Sequence, residues 1–140
     1  MKVLFDTNVV LDVLLARAPH AEPAARLMAL VDRGKIEGLL CATTVTTIHY
    51  LATKVIGRRK AVKHLRELLA MFDVARVDRA VLLQALEPNF PDYEDAVLHE
   101  AARAAGATGI VTRNASDFAA ASLPVFDPRE LLSAVLAAES

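Results

Sequence analysis

A short apolar run near the start of the chain ends abruptly on a carboxylate. Val3, Leu4 and Phe5 carry no polar group, and Asp6 follows at once. An apolar run without polar alternation is typical of a strand that is buried on both faces of a parallel sheet. In open α/β sheets, ligands bind outside the carboxyl ends of the strands. The position of Asp6 therefore predicts a functional carboxylate at the rigid edge of a parallel sheet.

Strand and helix patterns alternate along the rest of the chain. Four further apolar runs predict strands, at 38–42, 74–77, 109–112 and 124–126. Helical patterns lie between them, at 9–15, 23–32, from the N-caps Thr43 or Thr44 to Gly57, 59–72, 78–86, from Pro91 to Gly106, and 129–138. This alternation predicts one domain over residues 1–140, a three-layer α/β/α sandwich around a central, mostly parallel sheet.

Composition and charge restrict the cellular setting. Sixteen basic residues stand against seventeen acidic ones, so the formal net charge of −1 makes no argument for nucleic acid or membrane, and a basic patch must be local. No apolar run approaches the roughly 20 residues of a membrane span, and Asp6, Asn8 and Asp12 interrupt any signal peptide. The single cysteine, Cys41, has no disulfide partner within the chain. We expect a cytoplasmic protein with no membrane association.

Acidic residues occur in three places that a parallel sheet would bring to one edge. Asp6 follows the first strand, Asp117 lies in the loop after the fourth, and Asp92, Glu94 and Asp95 occupy a helix start. Carboxylates gathered in one cleft repel one another unless a cation neutralises them. Hard oxygen ligands, without a cluster of Cys or His, favour Mg²⁺ or Mn²⁺ over Zn²⁺. Such ions serve the in-line hydrolysis of phosphodiesters, so the residues indicate metal-assisted phosphoryl chemistry.

Each of these acids also has a structural interpretation. Asp6 suits an N-cap, although Thr7 or Asn8 would cap the same helix without a charge, and we therefore favour a function for Asp6. Asp92 is best explained as the N-cap of its helix, with Asp95 at the third helical position of a capping box. For Asp95 alone the two interpretations stay open. Asp117 belongs to a segment that would also serve as a plain turn.

Three motifs, in their order along the chain, resemble those of the PIN domain family. They are Asp6-Thr7-Asn8 after the first strand, Asp92-Tyr93-Glu94-Asp95-Ala96 at a helix start, and Thr112-Arg113-Asn114 with Asp117-Phe118 after a strand. The resemblance spans the chain from Val3 to the final helix and looks closest to the branch whose toxin-like members are related to VapC. Each motif is loose by itself, whereas the ordered set of three is fairly specific.

The resemblance implies an α/β/α sandwich and a ribonuclease that depends on Mg²⁺ or Mn²⁺. Asp6, Asp95 and Asp117 match the acidic metal-site positions of the family, and Glu94 and Asp92 would contribute through water. Thr112 and Asn114 match polar positions that line or brace the site. The toxin branch further implies an RNA substrate, a small antitoxin protein that blocks the site, and a homodimer.

One position departs from the family pattern. Most members carry a further acid on the helix after the second strand, and we align His49 with it, because no Asp or Glu occurs between Glu37 and Glu67. A neutral imidazole can bind a metal or contact phosphate but supplies no negative charge. Glu94 would then compensate. An equally good interpretation of His49 is a side chain beside an apolar helix stripe, and a catalytically weak or inactive PIN-like module that binds RNA or protein is the main alternative function.

Basic residues form a local run that is open to two interpretations. Lys54, Arg58, Arg59, Lys60, Lys63 and Arg66 have no acid among them. They would bind RNA phosphates or form a solvated helix face, and we favour the second interpretation. Arg113 differs, because it lies between a strand end and the acidic loop and suits a phosphate contact. A phosphatase of the haloacid-dehalogenase type is disfavoured because Asn8 stands where that pattern has a second Asp.

Overall fold

Five parallel strands form one sheet at the centre of the protein. The computed structural model describes residues 1–139. The strands are β1 (Lys2–Phe5), β2 (Glu37–Cys41), β3 (Asp73–Ala75), β4 (Gly109–Val111) and β5 (Val125–Phe126). Their order is β3-β2-β1-β4-β5, and every neighbouring pair is parallel. All five strands predicted from the sequence are therefore confirmed, with ends that differ by one or two residues.

Seven helices cover the two faces of this sheet within residues 1–139. They are α1 (Thr7–Leu14), α2 (Ala21–Asp32), α3 (Ala42–Ile56), α4 (Arg58–Met71), α5 (Arg79–Gln84), α6 (Tyr93–Ala104) and α7 (Pro128–Glu139). Helices α5 and α6 pack on one face, and the other five pack on the opposite face. The predicted α/β/α sandwich is confirmed. None of these helices combines the length and the apolar character that crossing a membrane requires.

Strand β1 contributes to both layers of the core. Val3 and Phe5 pack in the cluster beneath α1, α2 and α4, while Leu4 packs in the cluster beneath α6. All three side chains are fully buried, which confirms a strand enclosed on both faces. Burial of each such side chain is worth about 1.5–3 kcal/mol before the entropy of ordering is subtracted. The strand that ends at Asp6 is thus anchored in both layers of the core.

The predicted N-caps were right for α5 and wrong for α3. Asp78 caps α5 by accepting a hydrogen bond from the Val81 N–H at 3.0 Å. Helix α3 begins at Ala42, directly after β2, with Cys41 at the cap position and no side-chain capping bond. No loop separates the strand from the helix, so Thr43 and Thr44 lie inside the first turn and their hydroxyls are left for other partners.

The strand order creates a crevice at the carboxyl end of β1. The chain runs from β1 to β2 and β3 on one side, and β4 then returns to the other side of β1. Such a reversal separates the loops that follow the two neighbouring strands and is where α/β sheets bind ligands. The Asp6 N–H donates a 3.0 Å hydrogen bond to the Val111 carbonyl, which ties the two strand ends together.

Candidate active site

A cleft of about 370 Å³ opens at this crevice, and five acidic residues line it. Asp6 follows β1, Asp117 lies on a short 3₁₀ helix (Ala115–Phe118) after β4, and Asp92, Glu94 and Asp95 come from the start of α6. The fold therefore brings together carboxylates from three segments that are far apart in the chain. Their convergence results from the parallel topology, because β1, β4 and the α6 start meet at one edge.

Asp6 is the most rigidly held of these acids. Its carboxylate accepts hydrogen bonds from the Thr7 N–H at 2.7 Å and from the Thr112 hydroxyl at 2.8 Å, with the Asn8 amide at 3.4 Å. The Thr7 bond makes it the N-cap of α1, so capping and function share one side chain. Burial raises the pKa of Asp6; these hydrogen bonds oppose the shift, and the charges of Asp117 and Glu94 add to it.

The three acids of α6 differ in what holds them. Asp92 is exposed and caps the helix by accepting the Glu94 N–H at 2.8 Å, as its structural interpretation predicted. Asp95 is half-buried in the cleft wall. Burial raises the pKa of Asp95 to about 7, and the negative charges of Asp6, Asp92, Asp117 and Glu94 contribute in that order. The carboxylates thus lie close enough to repel one another.

The donor set suits a hard divalent cation in its chemistry. Every acidic ligand in the cleft offers carboxylate oxygen, and a cation would relieve the repulsion felt by Asp6 and Asp95. Over residues 1–139, no three His, Cys, Asp or Glu side chains are already placed to hold a metal ion. Glu94 and Asp117 are exposed, and neither carboxylate has a hydrogen bond in that part of the chain.

Polar side chains that follow the carboxyl ends of β1 and β4 brace the acidic cleft. Thr112 is fully buried, and its hydroxyl accepts the Asn114 N–H at 3.1 Å while donating to Asp6. The Asn8 side-chain oxygen Oδ1 accepts the Arg113 backbone N–H at 3.3 Å, and Asn8 lines the cleft together with Asn114. The polar residues of the two strand-end motifs therefore link β1 to β4 and orient Asp6.

Helix α3 presents hydroxyl groups to the cleft, although the sequence predicted His49 at the position of the further family acid. Thr43, Thr44 and Thr47 line the cleft, whereas His49 does not and lies half-buried elsewhere on the helix. The Thr7 hydroxyl donates to the Thr44 hydroxyl at 3.3 Å, joining α1 to this wall. The structure therefore does not place His49 in the cleft, and hydroxyl groups occupy the α3 wall instead. The α3 wall carries no negative charge.

A buried aspartate beside the cleft was missed from the sequence. Asp12 is fully buried and accepts hydrogen bonds from Arg113 Nε at 2.6 Å, Arg113 Nη2 at 3.2 Å and Arg17 Nε at 2.8 Å. Both arginines line the cleft, whereas Asp12 lies behind them. The sequence feature that could have revealed it is that Asp12 is the one charged residue in the apolar helix α1. An acid buried in such a helix requires a cationic partner.

The run of basic residues on α3 and α4 does not reach the cleft. All six side chains, from Lys54 to Arg66, are exposed, and none lines the cleft. Lys54 lies over the Tyr50 ring at 4.4 Å. This placement agrees with the preferred interpretation of the run as a solvated helix face.

Asp95→Asn should stabilise the protein in metal-free buffer at pH 8 by about 1 kcal/mol, a value that allows for solvent screening of this half-buried group. The folded pKa of Asp95 is about 7, above its ordinary value of 3.8, so the folded state binds more protons than the unfolded state between those values. The free energy of unfolding therefore falls as pH rises through that window. Urea unfolding with EDTA at acidic and alkaline pH measures the difference.

The exposed Asp73→Asn variant is the control for this effect. Asp73 lies on β3, away from the cleft, and we expect its replacement to change stability by less than about 0.5 kcal/mol at either pH. The gain from Asp95→Asn should shrink toward zero near pH 4. A variant that is less stable than the natural protein at pH 8 would contradict the raised pKa.

Fold and site together define a parallel α/β domain with an acidic cleft at the switch point of its sheet. The sequence model described as "PIN domain" matches residues 2–116, and the chain belongs to that family. The family membership inferred from three short motifs is thereby confirmed. Asp117 lies just beyond the matched residues, so its place in the cleft is an observation of the structure alone.

One named relative is similar in sequence, and solved structures share the fold. The chain is 25% identical over 120 residues to Ribonuclease VapC1 of Aquifex aeolicus, covering 82% of this chain and 83% of the relative. VapBC2 from Rickettsia felis, solved with a promoter DNA fragment, superposes with a TM-score of 0.71 at 14% identity, covering 91% of this chain and 98% of that one. VapC20 of Mycobacterium tuberculosis, described as a sarcin-ricin loop cleaving toxin, gives 0.63 at 17% identity, with coverages of 77% and 86%.

Proposed function

We propose that this protein is an endoribonuclease that depends on Mg²⁺ or Mn²⁺ and acts as the toxin of a toxin–antitoxin pair. The observation that carries the proposal is the cleft itself, where acids from three chain segments gather at the switch point of a PIN domain. The relative named a ribonuclease supports RNA as the substrate. The VapBC structures support a small antitoxin as the protein partner.

We assign the metal-binding role to the carboxylates of the cleft. Asp6, Asp95 and Asp117 would hold the cation, and Glu94 and Asp92 would contribute through water. Glu94 would also supply the negative charge that the α3 wall of the cleft lacks. The chemistry supplied by a bound Mg²⁺ or Mn²⁺ is polarisation of the scissile phosphodiester and activation of a water for in-line attack.

The remaining side chains of the cleft would orient the acids and the RNA. The Thr112 hydroxyl and the Thr7 N–H fix both carboxylate oxygens of Asp6, so this ligand is preorganised before substrate binds. Asn8 and Asn114 offer amide groups to the cleft. Arg113, at the rim, would contact a phosphate of the RNA backbone.

Cellular setting and assembly form part of the same proposal. Cys41 is a buried free thiol, which supports a reducing cytoplasm. We also infer a homodimer, and the exposed apolar side chains of Tyr50 and Val55 on α3 and of Leu69 on α4 are candidates for its contact.

Purified protein should cleave single-stranded or loop-containing RNA in the presence of Mg²⁺ or Mn²⁺ and should lose this activity in EDTA. Because the nucleophile is a water, cleavage should leave no 2′,3′-cyclic phosphate. An RNA with a 2′-deoxy sugar on the 5′ side of the scissile bond should also be cut. Mass spectrometry of the product ends makes this measurement.

The same cleavage assay distinguishes the proposed enzyme from a contaminating ribonuclease and from a non-catalytic binding module. Metal-independent cleavage that requires the 2′-hydroxyl would indicate a contaminating ribonuclease. No cleavage of several RNAs with either metal, with antitoxin removed, would contradict the enzyme. That result would favour the RNA- or protein-binding module, which the lack of an acid on the α3 wall motivates.

A further inference from the structure

We propose that Arg17 and Arg113, held side by side by the buried Asp12, form a binding wall for RNA backbone phosphates next to the acidic metal-binding half of the cleft. This inference rests on the proposed ribonuclease function and deepens it. It adds a second phosphate-binding residue, Arg17, to the site and explains why a fully buried carboxylate lies behind it. Acidic and basic walls would then divide the cleft between metal and substrate.

The first argument is charge. One guanidinium is enough to neutralise one buried carboxylate, yet Asp12 accepts hydrogen bonds from two, with N···O distances of 2.6 Å to Arg113 and 2.8 Å to Arg17. The group therefore carries a net positive charge. Because Asp12 is fully buried and both arginine side chains are partly exposed in the cleft wall, that charge faces the cleft.

The second argument is the donors that remain. The Asp12 carboxylate accepts hydrogen bonds from Nε of Arg17 and from Nε and Nη2 of Arg113. Nη2 of Arg17 donates to the backbone carbonyl of Asn8 at 3.4 Å. Over residues 1–139, Nη1 of each arginine has no hydrogen-bond partner. A guanidinium fixed by a carboxylate on one edge presents its other edge in a set orientation, which is the arrangement that recognises phosphate oxygens.

The third argument is the backbone that delivers Arg17. Ala16 has φ = 52°, a left-handed conformation that costs a residue with a Cβ about 1 kcal/mol. The turn is closed by the Arg17 N–H, which donates to the Asp12 carbonyl at 2.9 Å. Together with the Ala16 N–H, which donates to the Val13 carbonyl at 3.2 Å, this bond forms a Schellman cap that ends α1. The cap fixes the backbone direction at Arg17, whose side chain returns to the same aspartate that holds Arg113.

RNA phosphate is the anion that the surroundings favour. Five acids of the same cleft would repel a free anion, whereas a strand bound through a cation at the acidic wall brings its neighbouring phosphates to the arginines. The two walls lie in one cleft of about 370 Å³, so one strand can contact both. We therefore infer contacts to phosphates that flank the scissile one.

Arg17→Gln tests the inference, with Arg17→Lys as the conservative variant. Fluorescence anisotropy with a labelled single-stranded RNA in Ca²⁺, a hard divalent cation used in place of Mg²⁺ or Mn²⁺ to limit cleavage, should give a Kd about tenfold higher for Arg17→Gln, as expected for one lost charged contact. The slope of log K against log salt should become shallower by about 0.7, the value for one phosphate of a single strand. Arg17→Lys should keep the wild-type salt slope.

Cleavage kinetics in Mn²⁺ supply the second readout. Arg17→Gln should raise KM by about tenfold with little change in kcat, because the contact is the same in the ground state and the transition state. Arg26→Gln is the matched control, since Arg26 is an exposed arginine on α2 whose nearest acid, Glu22, is 3.9 Å away. That control should match the wild type in affinity, salt slope and KM.

The outcomes separate this inference from the proposed function. If the wild type cleaves RNA while Arg17→Gln matches the Arg26→Gln control in affinity and salt slope, the phosphate wall is disproved and the ribonuclease stands. If the wild type neither binds nor cleaves RNA, both proposals fail. Thermal melts of all variants show whether a loss of binding comes from unfolding.

Discussion

Replacing Asp6 with asparagine is expected to abolish metal-dependent RNA cleavage while leaving the fold intact. The rate should fall by at least about 100-fold, because changes to groups that merely support a metal ligand already cost 10–100-fold. Asparagine keeps an oxygen for the Thr7 N–H, and the Thr112 hydroxyl can reverse its role to accept from the new amide. The fold should therefore survive the change.

Binding of the metal gives a measurement that does not depend on activity. Mg²⁺ or Mn²⁺ should raise the Tm of the wild type, because a ligand that binds the native state stabilises it, and should raise the Tm of Asp6→Asn much less. In EDTA the variant should melt at the same temperature as the wild type or higher, since one source of repulsion is gone. Asp73→Asn, on β3, is the control. Wild-type turnover in Asp6→Asn would disprove the assigned mechanism.

Asp12→Asn is expected to destabilise the protein strongly, by more than a change to any of the exposed aspartates. Removing one partner of a buried ion pair typically costs about 3–5 kcal/mol, because the other partner is left without compensation. We expect the lower part of this range, since the arginine side chains are 28% and 40% exposed and can regain water. Urea denaturation at neutral pH measures the loss.

Two further variants show whether the loss comes from the ion pair. Asp32→Asn changes an exposed aspartate at the end of α2 and should alter stability by less than about 0.5 kcal/mol. In a double-mutant cycle with Arg113→Gln, the losses should be less than additive, because both changes remove the same contact. Additive losses, or an Asp12→Asn variant as stable as the wild type, would show that Asp12 does not anchor Arg113.

Asp6, the N-cap of α1, was predictable from the sequence, whereas the residues that α3 places in the cleft were not. Asp6 was predictable because a run of apolar residues reveals a strand end, and strand ends in parallel sheets share one edge. The place of the α3 residue in the cleft depends on how the helix is rotated about its axis. The helix begins at Ala42, and that start turns Thr47 toward the cleft and His49 away from it.

For Asp12, the sequence indicates the need for a partner but does not identify that partner. Its position in an apolar helix indicates that it needs a cationic partner, but Arg113 lies 101 residues later in the chain. No local pattern links the two, because the pairing requires β1 and β4 to be neighbours in the sheet.

The sequence by itself determined the order and type of the strands and helices, the parallel sheet, the family, and the acids that belong to strand and helix ends. These properties follow from hydrophobic periodicity and from short motifs, which act over a few residues. Only the tertiary structure decided that the arginines of one wall share a single buried aspartate, that α3 offers hydroxyls rather than histidine, and that burial and mutual repulsion raise the pKa of Asp95. Those features depend on distances between groups far apart in the chain, and such distances exist only once the sheet has assembled.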